Sequence, residues 1–270
     1  MDPEVEKALD KGDALKRYPP SALPEGKQVF QLQVFHPTDL KPMSNEQRRE
    51  RYQRLLGPFT SQVLVSADQH KIPPQLLAAI ILNELNDIGP QDVIGDALGI
   101  GSLGMAQISP QTAREHNLVD QPNPEFLQAF DNAFAAAAAV EATKVETRLR
   151  QPKFAIEAAA REIRHLLEQM TKHRDRPWQK SFGFSLSDIN LLKQPQDLYR
   201  FMGPGDSETL EKRAAALVAG PYNGPDMIIA ERKESFDEND LGFIYKNGTI
   251  HATNAANVAS DLAAPPPMFR

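Results

Sequence analysis

The run Leu76-Leu77-Ala78-Ala79-Ile80-Ile81-Leu82 is apolar on every side of a helix, and a carboxylate, Glu84, follows two residues later. Such a run is far too short to span a bilayer and too apolar to lie on a surface, so the rest of the chain must enclose it. Pro73-Pro74 marks the start, because proline is tolerated at the first helical position. Leu77, Ile80, Ile81 and Glu84 follow the spacing i, i+3, i+4, i+7 and share one helical face. A carboxylate on an apolar stripe is costly to ionise, so Glu84 is expected to hold its proton to higher pH than usual. Position alone also allows a plainer role, in which Glu84 closes the helix by reaching solvent or pairing with an arginine.

The chain has the means to build such an enclosure. It has 270 residues, of which 41% are hydrophobic, enough for one large domain or two small ones. The formal charge of −6 argues against a dedicated nucleic-acid binder, without excluding a local basic groove. The absence of cysteine removes disulfides, thiolate metal sites and a cysteine nucleophile. The first residues, Met1 to Lys7, are acidic and lack the apolar segment of a secretory signal. The other long apolar run, Ala133 to Val140, is also too short for a membrane span.

The patterning is mainly helical. Residues 1–43 are proline-rich and irregular, with a short strand pattern from Val29 to Phe35. Ser44 with Gln47 is a capping-box pattern that opens a charged helix, and Gly57-Pro58 ends it. Further helices are expected at Phe59–His70, Pro110–His116, Asp131–Arg150, Phe154–His173 and Glu208–Val218, the last interrupted by Gly220-Pro221. Gly95, Gly99, Gly101 and Gly104 mark a loop. Residues 176–208 read as loop with short helices around Trp178 and Leu198. Lys246-Asn247-Gly248-Thr249, flanked by Phe243-Ile244-Tyr245 and Ile250, signals a small C-terminal β-hairpin. The tail from Ala263 to Arg270 is expected to be extended. Asp237-Glu238-Asn239-Asp240 lacks the spacing of a calcium loop and reads as a solvated acidic turn, so neither metal nor cofactor is expected.

The segment Ser102-Leu103-Gly104-Met105-Ala106-Gln107-Ile108-Ser109-Pro110-Gln111-Thr112-Ala113 carries groups suited to a ligand. Glycine lets backbone approach closely, and the Gln107 amide offers donors and an acceptor to sugar hydroxyls or acetamido groups. An ordinary surface loop has the same composition.

Three blocks in order resemble one family. Ile72 to Glu84 looks like the helix of soluble lytic transglycosylases and goose-type lysozymes that ends in their catalytic Glu. Ser102 to Ile108, with Pro110 and Thr112-Ala113, is similar to their GLMQI-x-P-x-TA loop, and Ala216 to Gly224 to their A-x-x-x-YN-x-G segment. The resemblance spans about residues 59–230. Leu85 stands where the family has Ser, and Gly220-Pro221 precedes Tyr222-Asn223 where the family has continuous helix.

This resemblance implies a lysozyme-like catalytic domain over 44–235, with 174–207 as an insertion, between an N-terminal arm (1–43) and a hairpin with tail (236–270). It implies that Glu84 is the general acid/base of a glycosidase acting on the glycan strand of peptidoglycan. Ser102, Gly104, Met105 and Gln107 would bind the N-acetyl sugar beside the cut, with Tyr222 near Glu84 and Asn223 supporting it. An inverting muramidase also needs a second carboxylate, roughly 6.5–9.5 Å away, to activate water. Asp96 resembles the water-positioning Asp of goose-type lysozymes, and equally suits a solvated loop. Without it, the same site suits a lytic transglycosylase giving anhydro products. An inactive lysozyme-like module that binds glycan or serves assembly, and a helical interaction protein with chance matches, complete the alternatives. The implied setting is synthesis in the cytoplasm and action on the periplasmic cell wall after phage delivery or export by a secretion machine. An effector of that kind would be paired with an immunity protein.

Overall fold

The computed structural model describes residue 30 and residues 32–98, 101–119, 144–173, 207–224, 228 and 241–269. Over these residues the chain is mainly α-helical and contains no strand. The helices are α1 (Asn45–Leu56), α2 (Thr60–Gln69), α3 (Pro74–Leu85), α4 (Pro90–Leu98), α5 (Pro110–Glu115), α6 (Val145–Leu149), α7 (Pro152–Lys172), α8 (Ser207–Asn223) and α9 (Leu241–Ala263). No helix among the described residues is long and apolar enough to cross a membrane.

The chain divides into two compact units. One holds residues up to His36 together with Glu84–Ala159, and the other holds Pro37–Asn83 together with Ala160–Arg270. The division falls inside α3, between Asn83 and Glu84, and inside α7, between Ala159 and Ala160.

In the second unit, α1 starts as its sequence indicates. Ser44 Oγ accepts the Gln47 N–H at 3.2 Å, and Gln47 Oε1 accepts the Ser44 N–H at 2.8 Å. α2 ends in a turn in which Lys71 takes φ +53 and Ile72 N–H reaches the Ala67 carbonyl at 2.9 Å. That left-handed closure lets Pro73-Pro74 begin α3 at once. Within α3, Leu77 to Leu82 are completely buried, as a helix apolar all round requires. α8 and α9 pack on each other, and Ala215 and Ala219 on one and Ala255 and Ala259 on the other are all buried. α1 is tied to the end of α9 by a fork of charge: Arg48 Nε and Nη2 donate to Asp261 Oδ2 and Oδ1 at 2.6 and 2.8 Å. Arg49 Nη1 adds bonds to the carbonyls of Asp261 and Ala264, both at 2.6 Å.

In the first unit, Phe35 pairs with Ile88 in an isolated bridge and its N–H donates to the Ile88 carbonyl at 2.6 Å. The Val29–Phe35 strand pattern therefore forms no strand over the residues described. α4 opens at Pro90, with Asp92 Oδ2 accepting the Gly89 N–H at 2.7 Å. α5 opens on Ser109, whose Oγ accepts the Thr112 N–H at 3.0 Å, and ends on Asn117 at φ +52. α5 packs on α6, where Arg114 also forms an ion pair with Glu146.

Several expectations are corrected. The C-terminal β-hairpin is absent: Lys246-Asn247-Gly248-Thr249 lies inside α9. The Asn-Gly signal is local and costs a helix only about 1 kcal/mol for its glycine. Ala252, Ala255, Val258, Ala259 and Leu262 are buried along one helical stripe of a helix packed on α8, and tertiary packing outweighs the turn signal. Gly220-Pro221 does not interrupt α8, which runs on to Asn223. Pro221 has no N–H to give back along the helix, a local loss that the packing of α8 on α9 outweighs. Gly95 belongs to α4, not to the glycine loop. A single helix from Asp131 to Arg150 is ruled out because Lys144 is extended at φ −60, ψ 139 and α6 starts afresh after it. Most of the N-terminal arm, residues 120–143, the 174–207 insertion up to residue 206, and Asp237–Asp240 lie outside the described residues.

Candidate active site

Glu84 is the second-last residue of α3 and is only 6% exposed, so its carboxyl does not project into bulk water. Asn83 and Asn86 on either side are each 1% exposed. The Asp87 N–H donates to the Glu84 carbonyl at 3.0 Å, which turns the chain out of the helix and into the bridge at Ile88. The apolar run brings α3 inside, and the polar residues that end it are carried in with it.

The glycine turn lies in the same unit as Glu84. Leu103 and Ile108 form an antiparallel bridge, with the Leu103 N–H on the Ile108 carbonyl at 3.0 Å. Gly104 takes φ +64, and a Cβ there would lie 2.0 Å from the Leu149 carbonyl oxygen. Only glycine permits this approach. Gln107 is left-handed at φ +49, and its Nε2 donates to the Gly104 carbonyl at 2.8 Å. One amide hydrogen is thus spent inside the turn, and Oε1 with the second hydrogen is what Gln107 can offer a ligand. Met105 is fully buried, so its contribution to a ligand is limited to backbone, and Ser102 is half-buried.

Asp96 joins this turn. It is 8% exposed on α4, and its Oδ1 accepts the Gly104 N–H at 2.8 Å. Arg150 Nε stands 3.7 Å from the same oxygen, an ion pair beyond hydrogen-bond length. Burial pushes the Asp96 carboxyl above its usual range, while the Gly104 N–H and the Arg150 charge pull the other way. Both contacts fall on Oδ1.

The first unit therefore contains Glu84, Asp96, Ser102, Gly104, Met105 and Gln107, and joins Asp96, Gly104 and Gln107 directly. Tyr222 and Asn223 belong to the second unit, in the last turn of α8. Tyr222 is half-buried; Asn223 is exposed and its Nδ2 donates to the Ala219 carbonyl at 3.4 Å. Arg150 is the participant that sequence reasoning missed. It lies 54 positions after Asp96 (150 − 96), in a stretch read as plain helix, and no local pattern marks it. Among the described residues no cluster of His, Cys, Asp and Glu is arranged to hold a metal ion. No protein-family model matches this chain, and no characterised protein matches its sequence.

Proposed function

We propose that the protein is a peptidoglycan-cleaving glycosidase in which Glu84 is the general acid and Asp96 the carboxylate that activates water. The observation that carries this reading is the burial of Glu84 at the inner end of α3, in the unit that also holds the Asp96–glycine turn. A buried carboxyl is disposed to keep a proton and deliver it to a leaving oxygen. Asp96, pinned through Oδ1, presents its second oxygen to a water molecule, as hydrolysis with inversion requires. The glycine turn supplies backbone and the Gln107 amide to an acetamido sugar. The substrate is the bond between N-acetylmuramic acid and N-acetylglucosamine, and the protein acts in the cell wall.

One observation favours a second reading. Asp96 Oδ1 is committed to a backbone N–H and lies beside a cation, which suits a strap that shapes the turn as well as a base. If Asp96 is only a strap, the substrate's own 6-hydroxyl replaces water and the protein is a lytic transglycosylase. Purified peptidoglycan incubated with wild type and with Glu84→Gln tests the shared site. The variant should leave turbidity unchanged while wild type clears it. Equal clearing by both would remove Glu84 from the chemistry. Mass spectrometry of the fragments then separates the two reactions: reducing ends mark hydrolysis and anhydro ends mark transglycosylation.

A further inference from the structure

We propose that Arg150 is a positioning residue that holds the Asp96 carboxylate in its charged form against the glycine turn. Its use in catalysis rests on the hydrolase reading above. The guanidinium sits where this requires, with Nε 3.7 Å from the oxygen that also takes the Gly104 N–H. Nε and Nη2 of Arg150 are buried and make no hydrogen bond among the described residues. The side chain as a whole is 22% exposed, but these buried nitrogens favour a counter-charge beside them, and Asp96 supplies it.

The backbone at Arg150 is held in place as well. Arg150 caps α6, and its carbonyl accepts the Phe30 N–H at 3.0 Å. The carbonyl of the preceding residue, Leu149, abuts Gly104 so closely that a methyl group has no room. Cation, turn and carboxylate are therefore parts of one packed junction, and Asp96 cannot swing away without leaving Arg150 uncompensated.

Among the described residues, several other charges on these elements have partners of their own. Asp92 on α4 takes the Gly89 N–H, and Glu146 on α6 pairs with Arg114. Arg148 and Lys153 lie over the Phe154 ring. Among the described residues, Arg150 is the cation paired with Asp96. Burial by itself favours the neutral acid, which cannot take a proton from water. A fixed neighbouring cation opposes that and also fixes which oxygen is free.

The test is a carbon-13 NMR titration of carboxyl-labelled aspartate in the whole chain, with Asp96 assigned by loss of its signal in Asp96→Asn. It is run on wild type, Arg150→Gln and Arg150→Lys beside the pH dependence of peptidoglycan cleavage. Arg150→Gln should move the Asp96 midpoint upward, and the acid limb of the rate profile should move with it. Arg150→Lys, which keeps the charge, should restore both towards wild type. Arg150→Met, which fills the space without charge, serves the same comparison if the glutamine variant does not fold. An Asp96 that titrates as in wild type without the Arg150 charge overturns the proposal, whatever the activity. A midpoint that moves in a protein that never cleaves glycan upholds the grip of Arg150 on Asp96 and overturns the hydrolase reading instead.

Discussion

Replacing Gly104 with alanine puts a methyl carbon 2.0 Å from the Leu149 carbonyl oxygen and 3.3 Å from the Arg150 Cα. Gly101, three residues earlier, is the internal control: it too has positive φ, +76, but a Cβ there meets nothing within 4 Å. The left-handed backbone costs either alanine about 1–2 kcal/mol. The reduced freedom of the unfolded chain offsets about 0.4–1 kcal/mol of that. Gly101→Ala should therefore lose about 1 kcal/mol. Gly104→Ala carries in addition an overpacking cost of roughly 1–3 kcal/mol, because its neighbour is backbone and cannot rotate away. The total is about 2–4 kcal/mol, which corresponds to roughly 30- to 800-fold faster amide exchange from opening of this region. Hydrogen exchange with mass spectrometry on peptides covering residues 101–119 reads it directly. Gly104→Ala should also reduce glycan cleavage, since the shift it forces displaces the backbone N–H that donates to Asp96. If the two alanine variants lose the same protection, the close approach to Leu149 is not what demands glycine at 104.

Glu84→Gln should slow peptidoglycan cleavage by about 10²–10⁴-fold, the usual worth of a positioned proton donor, with unchanged circular dichroism. The pH optimum of wild type should lie on the acid side of neutral, and a rate that stayed flat into strongly basic pH would rule out a protonated donor. For Asp96, burial raises the carboxyl above its ordinary value of 3.8, so protonation favours the folded state. That stabilisation is complete below 3.8 and is lost as pH rises through the raised native value. Wild type should thus lose stability relative to Asp96→Asn across this window in urea melts from roughly pH 3 to pH 7. A gain over the same window would mean that the Arg150 attraction exceeds the burial penalty. In the second unit, Asp261→Ala should cost about 3 kcal/mol by leaving Arg48 without its two-point partner, and a thermal melt within error of wild type would remove the pair from the stability of α1 on α9.

Much of the helical framework was legible because its signals are local. The Ser44/Gln47 box, Pro110 at the head of α5 and Pro74 at the head of α3 each act within one turn of chain, and each appears where the residues indicate. Burial of Glu84 was legible only in part: the apolar run must be enclosed, but position alone also allowed its last acid to reach solvent. The partners of Asp96 were not legible. Its hydrogen bond spans 8 positions and its ion pair 54 (150 − 96), and nothing at Arg150 distinguishes it from other helix-end arginines.

What the sequence determined alone is the mainly helical class, the buried course of α3 and the need for a companion core, because periodicity and capping act over a few residues. Tertiary structure decided the rest. It turned the Lys246–Thr249 signal into helix by offering α9 a partner in α8, and carried α8 through Pro221. It also made Gly104 obligatory by placing the Leu149 carbonyl against it. Each of these depends on a surface supplied from a distant part of the chain, and in the two helices its packing outweighs a local cost of about 1 kcal/mol for the glycine and about 3 kcal/mol for the proline.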